Sequence, residues 1–92
     1  SLAELAGYLN NNPDISIALV GHTDSEGSLT ANIALSRKRA ASVAERLVAN
    51  FGILQERISA EGVGYLSPRA SNITDEGRAK NRKVEVIITS TR

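Results

Sequence analysis

Ile15-Ser16-Ile17-Ala18-Leu19-Val20-Gly21-His22-Thr23-Asp24-Ser25-Glu26-Gly27-Ser28 runs from a strand pattern into a polar, glycine-flanked loop, and a long helical pattern follows directly. Ile15, Ile17 and Leu19 alternate with Ser16, Ala18 and Val20. One face is large and apolar and the other is small or apolar, which predicts a central strand covered on at least one side. Gly21 to Ser28 reads as a loop by composition. Such a loop exposes its carboxylates while a rigid strand and helix hold them in place, so Asp24 is the first residue to consider for binding.

The rest of the fold is read outward from this unit. A second helix is predicted from about Thr30 to Asn50, with Ala40, Val43, Ala44, Leu47, Val48 and Phe51 forming its apolar stripe and Gly52 its stop. Upstream, Ser1 and Glu4 have capping-box spacing, and Leu2, Leu5, Ala6 and Leu9 make one buried helical face. Asn10-Asn11-Asn12-Pro13 ends that helix, since proline cannot continue it and asparagine tolerates left-handed backbone. Downstream, Ile58 to Val63 reads as a short strand, with Gly62 and Gly64 marking a bulge or close approach. Tyr65 to Ile73 is turn-rich around Pro68, and a short helix starts at Thr74-Asp75-Glu76. Val84 to Thr89 closes as a strand with β-branched residues on both faces. The order α-β-α-β-(short α)-β predicts an α+β, two-layer sandwich: a small mixed sheet with helices on one face. All 92 residues form a single domain.

Composition narrows the function classes. The net charge of +1 gives nucleic acid no general attraction. The absence of cysteine excludes disulfides and thiolate metal sites. The apolar run Ile15 to Val20 is too short to span a bilayer, and Ser1-Leu2-Ala3-Glu4 lacks the basic start of a signal peptide. His22, Asp24, Ser25 and Ser36 include the ingredients of a Ser-His-Asp arrangement, but no strained G-x-S-x-G turn surrounds either serine. One histidine and scattered carboxylates assemble no metal site. Gly62-Val63-Gly64 lacks the third glycine of a dinucleotide fingerprint, and there is no P-loop lysine. No enzyme, cofactor or metal is expected. Arg78 to Lys83 is the one basic cluster. None of the aromatics Tyr8, Phe51 and Tyr65 interleaves with it, which favours a solvated loop over a nucleic-acid grip.

The charge distribution is more telling. Four acids and no Lys or Arg occur up to Ser36, whereas all eleven bases follow from Arg37 onward. Asn32, Leu35, Ser36 and Arg39 share a helical stripe beside the apolar face. A carboxylate from the loop and a guanidinium from the helix match the two charged ends of an amino acid. The carboxylate takes the ammonium, and the guanidinium fork takes the carboxylate. An ordinary Asp–Arg salt bridge is the plainer account of the same residues, and by spacing Arg37 is as eligible as Arg39.

Gly21-His22-Thr23-Asp24 followed by Asn32-Ile33-Ala34-Leu35-Ser36-Arg37-Lys38-Arg39-Ala40 resembles the OmpA-like signature G-H-T-D…N-x-x-L-S-x-x-R-A. Gly62-Val63-Gly64 with Pro68 is similar to the family's G-x-G…P segment. Thr74 to Glu85 is similar to its T-x-x-G-R-x-x-N-R-R-V-E run. The resemblance implies non-covalent binding of peptidoglycan through the meso-diaminopimelate of its stem peptide. It places the ammonium-binding role on Asp24 and the carboxylate-binding role on Arg39, with Thr23, Asn32 and Leu35 in support. Arg82 is implied as a rim contact or structural ion pair, and Lys83 replaces the second arginine of the family run, keeping the charge but losing the fork.

The resemblance further implies a periplasmic domain whose parent protein is membrane-attached, tethered to the outer membrane through an N-terminal part. A stator or secretion-system envelope subunit, acting mainly through protein contacts, is the alternative. Family members carry a strand before the first helix, where this chain starts on the helix. The domain is therefore read as N-terminally shortened, with a sheet edge left to another segment or to a homodimer partner.

Overall fold

The computed structural model describes residues 1–24, 27–64 and 83–91. The first helix, α1 (Leu2–Asn11), opens on the expected capping box, in which the Glu4 amide donates to Ser1 Oγ and the Glu4 carboxylate answers the N-cap backbone. Its end differs from expectation. Asn12 caps the helix at φ −132°, outside the left-handed region. The Asn12 backbone N–H donates to Leu9 O at 3.2 Å and its side-chain amide to Tyr8 O at 2.8 Å, so the last carbonyls are satisfied without a left-handed residue.

Strand β1 (Ser16–His22) runs two residues further than composition suggests. Gly21 and His22 belong to the ladder, Gly21 lying opposite both Gly62 and Val84, and His22 opposite Lys83. The second helix, α2 (Leu29–Phe51), is capped by Ser28, whose hydroxyl accepts from the Ala31 amide at 3.1 Å. Its far end is closed by Gly52 at φ +69°, with the Gly52 amide bonded to Val48 O and the Ile53 amide to Leu47 O. A 3-10 turn (Gln55–Arg57) leads into β2 (Ile58–Gly62), and β3 (Lys83–Ser90) completes the described chain. The turn-rich segment from Tyr65 and the short helix at Thr74 lie outside the described residues.

The sheet order is β2-β1-β3, with β2 parallel and β3 antiparallel to β1. The expected central strand is central. Register assigns the faces: Ile17, Leu19 and Gly21 point to the helices with Ile58, Ala60, Val84, Val86 and Ile88, and the intervening residues point away. Leu9, Ile17, Leu19, Ala40, Leu47 and Ile53 form the centre of the core between the sheet and the helices. The predicted two-layer α+β arrangement is the one observed. Arg57 adds a clasp that periodicity does not announce. Its Nε donates to Ile15 O at 3.0 Å and its Nη2 to Leu9 O and Asn12 O at 2.9 and 2.8 Å, fastening the end of α1 to the start of β1.

Candidate functional site

The site forms where the C-terminal ends of β1 and β2 press against the first turns of α2. Three glycines permit the approach. A Cβ on Gly21 would overlap the Ser36 carbonyl, and one on Gly62 would overlap the Arg37 amide and crowd Ile33 O and Ser36 Oγ. Gly64 adopts φ +57° and would bring a Cβ to 3.1 Å from Ile33. The predicted close approach at Gly62 and Gly64 is thus real, and Gly21 shares in it. Ser36 stands at the junction, fully buried. Its hydroxyl donates to Ile33 O and accepts from the Gly64 amide, both at 2.9 Å. Gly64 O in turn accepts from the Thr23 amide at 2.8 Å, and Gly21 O accepts from the Val63 amide at 3.1 Å.

This junction holds Thr23 and Asp24. Composition suggested an exposed loop carboxylate, whereas Asp24 is only 6% exposed. The ladder continues through His22 and the Thr23 amide is tied to Gly64, so the chain has not left the body of the protein when it reaches Asp24. Thr23 is buried too, and its hydroxyl has no hydrogen-bond partner among the described residues.

The helical stripe divides. Asn32 is buried, its Nδ2 lying 3.7 Å from where a Gly27 Cβ would stand, while Leu35 is 39% exposed and Arg39 is exposed. Arg39 lines an open depression of about 460 Å³ with Ser42, Val43, Arg46, Lys83 and Val84, on the β3 side of α2. Arg37 and Lys38 instead line a recess with Thr30, Ile33, Ala34 and Ala41, on the side where the Arg37 amide meets Gly62 of β2. The two arginines that spacing left equal therefore stand on different flanks of the helix. Arg82 lies outside the described residues.

His22 is buried on the sheet face away from the helices, and its Nε2 lies 3.0 Å from Glu85 Oε1 across the β1–β3 pair. Lys83 Nζ stands 3.8 Å from the other Glu85 oxygen, so its charge already has a partner. Of the Ser-His-Asp ingredients, Ser25 lies outside the described residues, and His22 and Ser36 are engaged elsewhere. The ring faces Glu85, and both hydrogen-bonding directions of the Ser36 hydroxyl are spent on backbone. No group of metal-ligating side chains occurs among the described residues. Sequence reading placed Ser36 on the stripe without its role as the tie between elements. The usable signal was a small polar residue at a helix position facing three glycines. Glu85 was legible only as part of a motif, because its pairing with His22 spans 63 positions.

The sequence model of the OmpA family matches residues 1–82. The chain is 45% identical over 87 residues to the peptidoglycan-binding protein ArfA of Mycobacterium tuberculosis, covering 95% of this chain and 26% of that protein. It is 53% identical over 76 residues to outer membrane protein A of Bordetella avium, covering 83% of this chain and 39% of that protein. The fold matches the crystal structure of the peptidoglycan-associated lipoprotein from Burkholderia pseudomallei with a TM-score of 0.89 and 30% identity, over 96% of this chain and 74% of that one. The chain thus spans well under half the length of these two sequence relatives.

Proposed function

The chain belongs to the OmpA family, and on that premise we propose that it is a non-enzymatic module that binds peptidoglycan through the meso-diaminopimelate of its stem peptide. The observation that carries this reading is the division of labour beyond the end of β1: a buried carboxylate, Asp24, next to the Thr23 amide that is tied to Gly64, and an exposed guanidinium, Arg39, on the β3 flank of the adjoining helix. Asp24 takes the side-chain ammonium of the ligand, where low exposure keeps water from weakening the attraction. Arg39 takes the neighbouring carboxylate with its planar fork. Asn32 and Thr23, both buried, are assigned supporting contacts to the ligand, and exposed Leu35 offers apolar surface to its aliphatic part.

One such residue is a small target, so binding by a single copy is weak. Firm attachment comes from many tethered copies meeting a polymeric wall. The module accordingly anchors a periplasmic, membrane-attached parent protein, in the outer membrane, to the cell wall.

Titration with a muropeptide containing diaminopimelate, beside its lysine-type counterpart, tests the reading. Saturable binding is expected for the first, with at least tenfold weaker binding for the second, which lacks the carboxylate that Arg39 receives. Asp24→Ala should abolish binding of both ligands, Arg39→Ala should remove the preference between them, and Arg37→Ala, on the other flank, should preserve it. Absence of saturable binding by folded wild-type protein would leave protein contacts, as in a stator or secretion-system subunit, as the function of the fold.

A further inference from the structure

We propose that Ser36 is a positioning residue for ligand recognition, its buried hydroxyl setting where Asp24 lies relative to the α2 residues that complete the site. The inference rests on the proposed binding role of Asp24 and Arg39. Ser36 is on α2, one turn before Arg39 and one turn after Asn32, and none of its surface reaches solvent. Its Oγ joins two elements at once, donating to Ile33 O of its own helix and accepting from the Gly64 amide beyond β2. Gly64 then passes the constraint on, since its carbonyl takes the Thr23 amide, one residue before Asp24. The path from helix to carboxylate is Ser36 Oγ, Gly64 peptide, Thr23 amide, Asp24, with both intervening hydrogen bonds at 2.8 to 2.9 Å.

Contacts at Gly21 and Gly62 press the same helix turn onto β1 and β2, so translation of the helix toward the sheet is blocked by backbone. They do not act on the Gly64 amide, which the Ser36 hydroxyl receives. Gly64 occupies left-handed backbone, and among the described residues the Ser36 hydroxyl is the side-chain group that holds its amide. Recognition of a two-charge ligand depends on the separation of the receiving groups, and a site held loosely by its supporting shell loses affinity without losing its contact residues.

Ser36→Ala removes the tie at almost constant volume, and Ser36→Cys substitutes a weaker donor and acceptor. Binding of the diaminopimelate muropeptide is measured by the whole chain at a temperature where each variant is fully folded, with the melting temperature recorded separately. The expected affinities fall in the order Ser, Cys, Ala, with Ser36→Ala roughly tenfold weaker than wild type. The Gly64, Thr23 and Asp24 amide resonances should move together in the unliganded variants. Should Ser36→Ala fail to fold, the comparison of wild type with Ser36→Cys decides by the same two readouts. A lower melting temperature with unchanged affinity and unmoved Thr23 and Asp24 amides would show a purely structural hydroxyl and overturn the inference. Failure of wild type to bind at all would instead remove the functional reading on which the inference stands.

Discussion

At the residue scale the chemistry turns on what each charged group already touches. Arg57 is committed to three backbone carbonyls, so Arg57→Ala should destabilise the protein by roughly 2–4 kcal/mol, with Arg57→Lys recovering only part because an ammonium cannot reproduce the fork. Urea unfolding measures both. Arg39 is exposed and lines an open depression, so its removal should leave stability within about 0.5 kcal/mol while weakening the ligand. Arg39→Lys should likewise fold normally and bind less well, which separates a guanidinium fork from a mere positive charge. At the start of α1 the Glu4 carboxyl is held below its ordinary value, chiefly by the Ser1 hydroxyl. A folded value below the unfolded one means that this contribution is present above the unfolded value and lost as pH falls through the folded one. NMR titration should place Glu4 below exposed glutamates, and Ser1→Ala should bring it back toward them. Asp24 was legible as a carboxylate in a glycine-flanked loop after a buried strand, and Asn32 and Arg39 as polar residues beside an apolar stripe. The burial of Asp24 was not legible, because it depends on a Thr23–Gly64 bond closed across 41 positions.

At the element scale, α2 and β1 carry the site because their backbones come closer than side chains normally permit. Gly21→Ala sets a Cβ against helix backbone at Ser36, which has no rotamer with which to yield. It should cost on the order of 3 kcal/mol or more and displace α2 from the sheet, read as a lower melting temperature and a changed near-ultraviolet circular dichroism spectrum. Gly52→Ala makes a useful contrast. Open space surrounds that position, but φ is +69°, so the cost should be about 1 kcal/mol and confined to the helix end. The helices were readable from capping residues and periodicity, both local properties. The true end of β1 was not readable. Gly21 and His22 look like loop by composition, yet they remain strand because Gly62, Lys83 and Val84 pair with them.

At the scale of the whole molecule, the described sheet ends at β3, where Val86, Ile87 and Ile88 are each 45–48% exposed. An apolar edge strand of this kind favours pairing with a further strand. Ile87→Lys, on the face away from the helices, should suppress any concentration-dependent association that sedimentation velocity detects while leaving the muropeptide site intact. The sequence by itself determined the helix starts and stops, the strand periodicities and the α+β class, because caps, glycines and apolar spacing act over a few residues. Its motifs likewise carried the resemblance to the OmpA-like family. Only the tertiary structure decided which flank each arginine occupies, that Asp24 is buried, and that Ser36 ties the helix to Gly64. Those outcomes rest on contacts between residues 28 to 63 positions apart, and distance along the chain carries no record of them until the sheet has formed.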